Sequence, residues 1–471
     1  MDALLFEKCY DNSKSQWLKI MIRKGYVKVQ LLQYYQEIQQ SIKIKNDNNV
    51  SNLVHPSSSL LAPIHNWYHF KEGFSPNLLN YVINNSKINS DKLSIFDPFC
   101  GSGTTLLSAL VNTPGINISS GLGVEVNPFI HFVANTKVQF FKLNMDKISR
   151  FINYISSKDL IINNEIEFPD LTTIEKAFSI STFNQLENLK NLIKDYFHET
   201  DYEYNFCLLA YSSILETVSC MRKSGRALKI VKEIEDYDVK TIFLEKIINM
   251  INDVITEQRN LKMVDIKIQN HDIRDYNGSN KEKYNLVVFS PPYLNHFDYT
   301  EVYKIELWML DFVTNYSQFR QLRYNTFRSH PSVKFDKTNL YSVFNSKIIK
   351  DIIGSLDAAN KQEAFYKTIR DYIDDMYKTL IRISSLTTSD STIACIVANS
   401  LFGSTNKNNL TTVATDLIIT EIAKDLNFEV VEIVVARELS RRGLKFPYGR
   451  ESIIYLRKKR DTFDRISILN E

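Results

Sequence analysis

The segment Asp97-Pro-Phe-Cys-Gly-Ser-Gly-Thr-Thr105 joins an apolar strand pattern at residues 92–97 to a helical pattern at residues 104–112. A second strand pattern follows at residues 121–126 and leads through Asn127-Pro128 into another helical run. Strands that alternate with helices over short connections are typical of a parallel sheet with helices on its faces. This stretch therefore predicts an α/β, Rossmann-like fold.

The rest of the chain continues this pattern with two long interruptions. Strand patterns return at residues 264–268, 284–289, 392–398, 428–435 and 452–456. Residues 142–261 and 301–386 instead show apolar residues at the three and four spacing of helices. We therefore expect one sheet that carries two mostly helical insertions.

Composition narrows the class of protein without deciding its function. The chain of 471 residues is 44% hydrophobic, and its net charge of +3 is too small to indicate nucleic-acid binding. Its five cysteines are never spaced as CxxC, which gives no support to a zinc site or a disulfide framework. The sequence shows no signal peptide and no apolar run of membrane length, so we expect a cytoplasmic protein.

The residues around the glycine loop distinguish among three ligands that such loops bind. A P-loop needs a lysine where Thr104 stands, and a dinucleotide fingerprint needs a small residue where Leu106 stands. S-adenosylmethionine fits better, because Asp97 can face its positive charge and the loop amides can bind its carboxylate. Glu125 ends the next strand, where an acid can accept both ribose hydroxyls. The predicted cofactor contacts here are Asp97, Phe99, Gly101, Gly103, Thr104, Thr105 and Glu125.

A second motif, Ser290-Pro-Pro-Tyr293, follows the strand pattern at residues 284–289. Two prolines end strand pairing and stiffen the chain at the carboxyl edge of the sheet, where ligands bind in open α/β folds. An exocyclic amino group of a base is a poor nucleophile until acceptors bind its hydrogens, and Ser290 and the Pro291 carbonyl can be those acceptors. The Ser290 hydroxyl could alternatively donate to the ring nitrogen N3 of cytosine, and Tyr293 can stack on a flipped-out base. The predicted catalytic residues are Ser290, Pro291, Pro292 and Tyr293.

Both motifs resemble those of bacterial DNA amino-methyltransferases, which carry DPFxGSGTT and S/D/N-PPY. The resemblance implies a class I methyltransferase sheet, S-adenosylmethionine as the cofactor and double-stranded DNA as the substrate. It also allows a cognate restriction endonuclease or another defence-system protein as a partner. By the same resemblance, Asp272 contacts the adenine amino group of the cofactor, and Lys71 and Phe74 line its methionine end.

The residue before Pro-Pro-Tyr bears on which base is methylated. In the family that this chain resembles, serine there is typical of cytosine-N4 enzymes, whereas aspartate or asparagine is typical of adenine-N6 enzymes. Ser290 therefore favours transfer to N4 of cytosine. The alternatives are an adenine-N6 DNA methyltransferase, an RNA base amino-methyltransferase and a cofactor-binding protein without catalysis.

These assignments divide the chain into six parts. They are an N-terminal extension and linker at 1–60, a cofactor-binding part of the core at 61–141, a first insertion at 142–261, a catalytic part of the core at 262–300, a second insertion at 301–386, and C-terminal strands with a basic loop at 387–471. Since recognition segments of the family lie between its two motifs, the first insertion is the candidate target-recognition region.

Basic clusters are the candidates for contact with DNA phosphates. Arg222 and Arg226 lie in the run 221–229, and Arg441 and Arg442 lie in the run 437–450. Phosphate contact and a solvated basic face explain either run equally well. Arg323, Arg328, His330 and Lys334 form a weaker cluster.

Two further residue types argue against other chemistries. Among the eight histidines only His65 and His69 have the HxxxH spacing and none belongs to an HxE pattern. Two histidines supply fewer ligands than a metal site needs, so we predict no metal site. Cys100 follows Phe99 rather than the proline that precedes the nucleophile of base C5-methyltransferases, so we interpret it as a small filler of the loop.

Overall fold

The computed structural model describes residues 29–459, with gaps at 87, 89, 161–167, 170, 226, 279–282, 296, 332–345, 360–363, 403–410 and 442–443. Its strands are β1 (Ile44–Asn46), β2 (Leu93–Asp97), β3 (Ile118–Glu125), β4 (Met221–Ser224), β5 (Ala227–Ile230), β6 (Asp265–Asn270), β7 (Tyr284–Phe289), β8 (Thr387–Ala398), β9 (Ser400–Phe402), β10 (Thr411–Val413), β11 (Phe428–Arg441) and β12 (Leu444–Lys458). Eight of them form the central sheet, in the order β1-β11-β12-β8-β7-β2-β3-β6.

The direction of the strands confirms the Rossmann-like sheet expected from the sequence. All neighbouring strands of the central sheet are parallel except β12, which runs antiparallel to both β11 and β8. Parallel neighbours need crossover connections, and helices supply them here. The carboxyl ends of β2, β3, β6 and β7 consequently lie at one edge of the sheet.

The helices cover both faces of the sheet and build the insertions. They are α1 (Val29–Gln40), α2 (Leu78–Asn85), α3 (Thr104–Val111), α4 (Pro128–Val138), α5 (Met145–Ser156), α6 (Thr172–Ala177), α7 (Ile180–Tyr196), α8 (Tyr202–Ile214), α9 (Val239–Glu257), α10 (Tyr299–Val302), α11 (Lys304–Met309), α12 (Tyr316–Asn325), α13 (Lys347–Ala359), α14 (Ala364–Leu386) and α15 (Thr415–Asp425). In the part of the chain that the structure describes, no helix has both the length and the hydropathy that a membrane crossing requires.

Alternation along the central strands creates two hydrophobic cores. On β2, Ile95 belongs to the core that contains α3, α4 and the first insertion, whereas Phe96 belongs to the core that contains α13, α14 and α15. Val288 and Phe289 of β7 divide between the cores in the same way. Successive strand side chains point to opposite faces, so continuous apolar runs of this kind are expected in a sheet buried on both sides.

The segment predicted as an extension and linker contributes to the sheet in its described part. Ile44 of β1 pairs in parallel with Ile433 of β11, which places β1 at the edge of the sheet. Tyr35 and Val50 are fully buried. Residues 29–60 therefore pack against the core rather than forming a free connection.

The insertions also differ from their expected form. The basic run at 221–229 is not helical, because β4 and β5 pair there as an antiparallel hairpin. In the second insertion, α14 buries Ile369, Met376 and Leu380 in the same core as Phe289. This helix, like α13 before it, is thus part of the core that packs against the sheet.

Candidate active site

The loops at the carboxyl edge of the sheet enclose a cavity of about 360 Å³. Nine of the predicted cofactor and catalytic residues line it: Phe99, Gly101 and Thr104 of the glycine loop, Glu125, Asp272, and all four residues of the second motif, Ser290, Pro291, Pro292 and Tyr293. Three other predicted cofactor residues, Asp97, Gly103 and Thr105, are not in its wall. The fold therefore brings the glycine loop and the Ser-Pro-Pro-Tyr loop to one enclosed space.

The glycine loop depends on glycine for both its conformation and its packing. Gly101 and Gly103 have φ angles of +50° and +83°, which L side chains rarely adopt. A Cβ atom on Gly101 would lie 2.9 Å from Cε1 of Phe70, and one on Gly103 would lie 3.2 Å from Cβ of Ala134. Phe70 itself lines the cavity. Because the backbone at Gly101 lies this close to the Phe70 ring, any side chain there would collide with the wall of the cavity.

Asp97 supports the glycine loop from behind. Its side chain is only 1% exposed, and its carboxylate oxygens accept from the amide of Phe99 at 3.1 Å and from Oγ1 of Thr105 at 2.6 Å. Burial raises the pKa of Asp97 to about 7. We expected Asp97 to face a positively charged ligand, but the structure places it and Thr105 behind the loop.

Glu125 does reach the cavity and also holds the loop in place. Its Oε2 accepts from the amide of Gly101 at 3.1 Å, and its Oε1 accepts from the amide of Asn127 at 2.8 Å. Burial raises the pKa of Glu125 to about 7, although these two amides oppose the shift. A carboxylate has about four lone-pair sites, so each oxygen can still accept one hydrogen bond from a ligand.

Asp272 is held at the cavity wall by an arginine network. The Nε of Arg274 donates to its Oδ1 at 3.0 Å, and Nη1 of Arg274 donates to Oδ2 of Asp375 at 2.8 Å. Arg328 donates to Oδ1 of Asp375 from Nε at 2.9 Å and from Nη2 at 2.5 Å. The network connects the loop after β6 to the buried helix α14.

The Ser-Pro-Pro-Tyr loop forms the opposite side of the cavity. The Tyr293 hydroxyl donates to Oε1 of Glu451 at 2.8 Å. The other carboxylate oxygen of Glu451 accepts from Nε of Arg437 at 2.5 Å. Burial, reinforced by the charge of Glu451, raises the pKa of Tyr293 well above its usual value, so the phenol keeps its proton at neutral pH.

Sequence reasoning missed several residues that line this cavity. Glu451 was not singled out, and Arg437 was noted only as the start of a basic run. Glu72 accepts from the Tyr303 hydroxyl at 2.7 Å, and burial raises its pKa. Phe74 lines the cavity as the family resemblance implied, and so does Lys71, whose ammonium donates to the backbone carbonyl of Lys223. No short motif marks Glu451 or Glu72.

In the first basic cluster, Arg222 and Lys223 form hydrogen bonds and ion pairs within the protein, which the sequence did not indicate. Arg222 donates to the backbone carbonyls of Glu216, Ser219 and Met221. Lys223 is buried in ion pairs with Glu216 and Glu306. Arg226, Arg442 and the side chain of Arg441 lie outside the described residues, so their contact with DNA stays a prediction.

The third basic cluster is internal where the structure describes it. Arg323 forms an ion pair with Asp298, and Arg328 forms one with Asp375. His330 is buried, and Lys334 lies outside the described residues. These side chains therefore stabilise the fold around α12 and α14 rather than presenting a basic face.

Cys100 occupies a tight position behind the loop. A Cβ atom on Gly123 would lie 2.9 Å from its Sγ, and burial raises the pKa of the thiol well above its usual value. This packing agrees with a small filler. Among residues 29–459 that are described, no group of three or more His, Cys, Asp or Glu side chains is placed to hold a metal ion.

The sheet order and the site at its carboxyl edge together define the α/β fold of class I methyltransferases. No protein-family model matches the chain. It is 29% identical over 293 residues to the Type II methyltransferase M.BsoBI of Geobacillus stearothermophilus, and the match covers 55% of each chain. It is 26% identical over 269 residues to the Type II methyltransferase M.AvaI of Nostoc sp., covering 53% of this chain and 54% of the relative.

The chain thus spans about half the length of the curated relatives it matches. Among solved structures, the rRNA methyltransferase AviRa of Streptomyces viridochromogenes aligns over 88% of this chain and 95% of its own. Its sequence identity is 10% and the TM-score is 0.32.

Proposed function

We propose that this protein is an S-adenosylmethionine-dependent DNA methyltransferase that methylates N4 of cytosine in double-stranded DNA. The observation that carries the proposal is the single cavity into which the glycine loop and the Ser-Pro-Pro-Tyr loop both open. The similarity to two Type II methyltransferases supports DNA as the substrate, within a restriction-modification system. A cognate restriction endonuclease is the partner that such a system would contain.

The cavity residues fit the proposed cofactor. Glu125 offers one remaining acceptor site on each oxygen for the two ribose hydroxyls, and Asp272 offers its carboxylate to the adenine amino group. The free backbone amides at the N-terminus of α3, which begins at Thr104, would bind the carboxylate of the methionine moiety. When bound, S-adenosylmethionine supplies an activated methyl group, so the protein contributes orientation and electrostatics.

The base would enter from the side of Tyr293 after leaving the DNA stack. Its amino hydrogens would be accepted by Ser290 and by the Pro291 carbonyl, whose directions the two prolines restrict. This pulls the nitrogen towards a tetrahedral, nucleophilic shape, while the Tyr293 ring packs against the base. Ser290 is a short and neutral acceptor. In the family that the motifs resemble, serine before Pro-Pro-Tyr is typical of cytosine-N4 enzymes.

Nucleoside mass spectrometry tests both the substrate and the base. DNA and RNA from a methylation-free host that expresses the protein should contain N4-methylcytosine in the DNA alone. The Tyr293→Ala variant, expressed in the same host, should give little of it. N6-methyladenine as the sole DNA product would replace the proposed base, and a methylated base found only in RNA would replace the proposed substrate.

Cofactor affinity should depend on pH through Glu125. Because burial holds the pKa of Glu125 at about 7, a ligand that hydrogen-bonds to the ionised carboxylate should bind more tightly as the pH rises from 6 to 8 and should release protons on binding. Glu125→Gln should weaken binding by roughly 1–3 kcal/mol at pH 8, as for a lost charged hydrogen bond, and should flatten the pH dependence.

Calorimetric titration in two buffers of different ionisation enthalpy measures both the affinity and the released protons. Glu429→Gln, on β11 outside the cavity, is the control and should match the wild type. Equal affinities of wild type and Glu125→Gln across the pH range would contradict a role of Glu125 in cofactor binding.

A further inference from the structure

Arg437 places a guanidinium group beside the Ser-Pro-Pro-Tyr loop. It lies near the end of β11, directly opposite Glu451 of β12, and both residues line the cavity. One carboxylate oxygen of Glu451 accepts from the Tyr293 hydroxyl at 2.8 Å, and the other accepts from Nε of Arg437 at 2.5 Å. A single carboxylate group therefore separates the tyrosine on which the base would stack from the guanidinium of Arg437.

The guanidinium of Arg437 still has hydrogen-bond donors to offer. An arginine carries five N–H groups in a planar fork, and Glu451 accepts from the one on Nε. In the part of the chain that the structure describes, neither Nη1 nor Nη2 has a hydrogen-bonding partner. The Arg437 side chain is 36% exposed, whereas that of Glu451 is 3% exposed. The bond to a buried carboxylate thus restricts where the guanidinium lies and leaves four N–H groups available to a ligand.

We propose that Arg437 reads the target base by donating to two acceptors on the Watson–Crick edge of cytosine, N3 and O2. The proposal rests on the proposed function, because it takes the flipped-out base to be held with its amino group at Ser290 and Pro291. The atoms N3 and O2 follow that amino group along the same edge, and two N–H groups of one guanidinium can bind both. Because N3 has a single lone pair, its bond to Arg437 leaves Ser290 to accept from the amino group.

The same donors favour cytosine over the other bases. Adenine presents N1 beside its amino group, but its next position is a C–H group, which accepts no such hydrogen bond. Thymine presents an N–H group where cytosine presents N3, so it would set a donor against a donor. A good bidentate contact discriminates against the wrong base by about 10- to 100-fold. Arg437 would therefore give a preference for cytosine that does not depend on Ser290.

The surroundings of Arg437 favour a base over a DNA phosphate as its ligand. A phosphate contact draws its binding free energy from the charge of the cation. The charge of Arg437 is already paired with the buried Glu451, and the guanidinium lines the same cavity as the Ser-Pro-Pro-Tyr loop. The pair therefore supplies directed N–H donors with little net charge, which suits the reading of a base edge.

Binding to three DNA duplexes tests the proposal without relying on turnover. Each contains the site modified in the host DNA, with cytosine, adenine or an abasic nucleotide at the methylated position. The Arg437→Lys variant keeps a cation opposite Glu451, but an ammonium held there cannot span N3 and O2 as the fork does. With S-adenosylhomocysteine bound, it should bind the cytosine duplex about 10- to 100-fold more weakly than the wild type. Its affinity for the other two duplexes should fall less than about threefold, because neither accepts the bidentate contact.

A double variant and a matched pair serve as controls. Arg437→Met/Glu451→Gln removes both charges together, so no buried carboxylate is left without a partner. Both cytosine and adenine can stack on Tyr293, so a change in stacking affects both duplexes, and the ratio of the two affinities isolates Arg437. Arg457 stands directly opposite Glu429 on the same two strands, at 3.8 Å and outside the cavity. Arg457→Lys should therefore bind all three duplexes as the wild type does.

The pattern of losses across the three duplexes decides the role of Arg437. A loss confined to the cytosine duplex, in Arg437→Lys and in the double variant, supports the proposal. Equal losses on all three duplexes, with a flatter dependence on salt, would identify a phosphate contact and overturn it. Wild-type affinity of both variants for the cytosine duplex would overturn it as well, and neither result would touch the proposed function. A wild type that methylates only adenine, or no DNA at all, would instead overturn the proposed function and this role of Arg437 with it.

Discussion

Replacing Tyr293 by alanine should lower the rate of methyl transfer by about 1000-fold while leaving cofactor affinity nearly unchanged. The ring faces the cavity beside the two prolines, and stacking on a base contributes roughly 1–3 kcal/mol. Alanine also removes the hydroxyl whose hydrogen bond to Glu451 holds the ring in place, which adds about tenfold for the lost hydrogen bond. Glu125 and Asp272, the proposed cofactor contacts, have no hydrogen bond to Tyr293 among the described residues.

Tyr293→Phe and Tyr293→Trp divide this effect into its two parts. Phenylalanine and tryptophan each keep an aromatic face for stacking and lose the phenol hydroxyl. Both should therefore retain most of the activity that alanine loses. Single-turnover rates, together with calorimetric cofactor affinity and circular dichroism of each variant, make the comparison. If phenylalanine failed as badly as alanine, the hydroxyl rather than the ring would be the working part of Tyr293.

The sequence predicted those parts of the site whose residues lie close together in the chain. The glycine loop and the Ser-Pro-Pro-Tyr loop each lie within a few residues of a strand end, and the parallel order of β2 and β7 brings them together. The same local reasoning failed for Asp97. Its partner Thr105 is only eight residues away, but a motif does not say on which side of the loop the carboxylate lies.

The missed residues come from long-range pairing. Tyr293 and Glu451 are 158 residues apart, and Arg437 meets Glu451 only because irregular register along β11 and β12 brings them opposite each other. Charge in the sequence is equally ambiguous. Arg222 and Lys223 look like a solvated basic run, yet Lys223 is buried against Glu306. Deciding between a surface cation and a buried ion pair requires the tertiary structure.

Breaking the arginine network behind Asp272 should lower the free energy of unfolding by several kcal/mol, about 3–5 kcal/mol for loss of its buried acid. Asp375 is fully buried between Arg274 and Arg328, and burial alone would raise its pKa. The charges of the two arginines outweigh burial and hold the pKa of Asp375 below its usual value. Asp375→Asn would leave two buried guanidinium groups without their shared counter-charge, which should cost about 3–5 kcal/mol in the free energy of unfolding.

Chemical denaturation of Asp375→Asn at several pH values measures this loss, with Asp265→Asn as the control. Asp265 is 68% exposed in a surface pair with Lys267, so its change should cost less than about 1 kcal/mol. Since the folded-state pKa of Asp375 is lowered, its stabilising effect is present above the ordinary aspartate pKa of about 3.9 and is lost as the pH falls further. The difference between wild type and Asp375→Asn should therefore be constant near neutral pH and shrink in acid. Because Arg274 also positions Asp272, the variant should weaken cofactor binding as well; full stability with full cofactor affinity would show that the network contributes to neither.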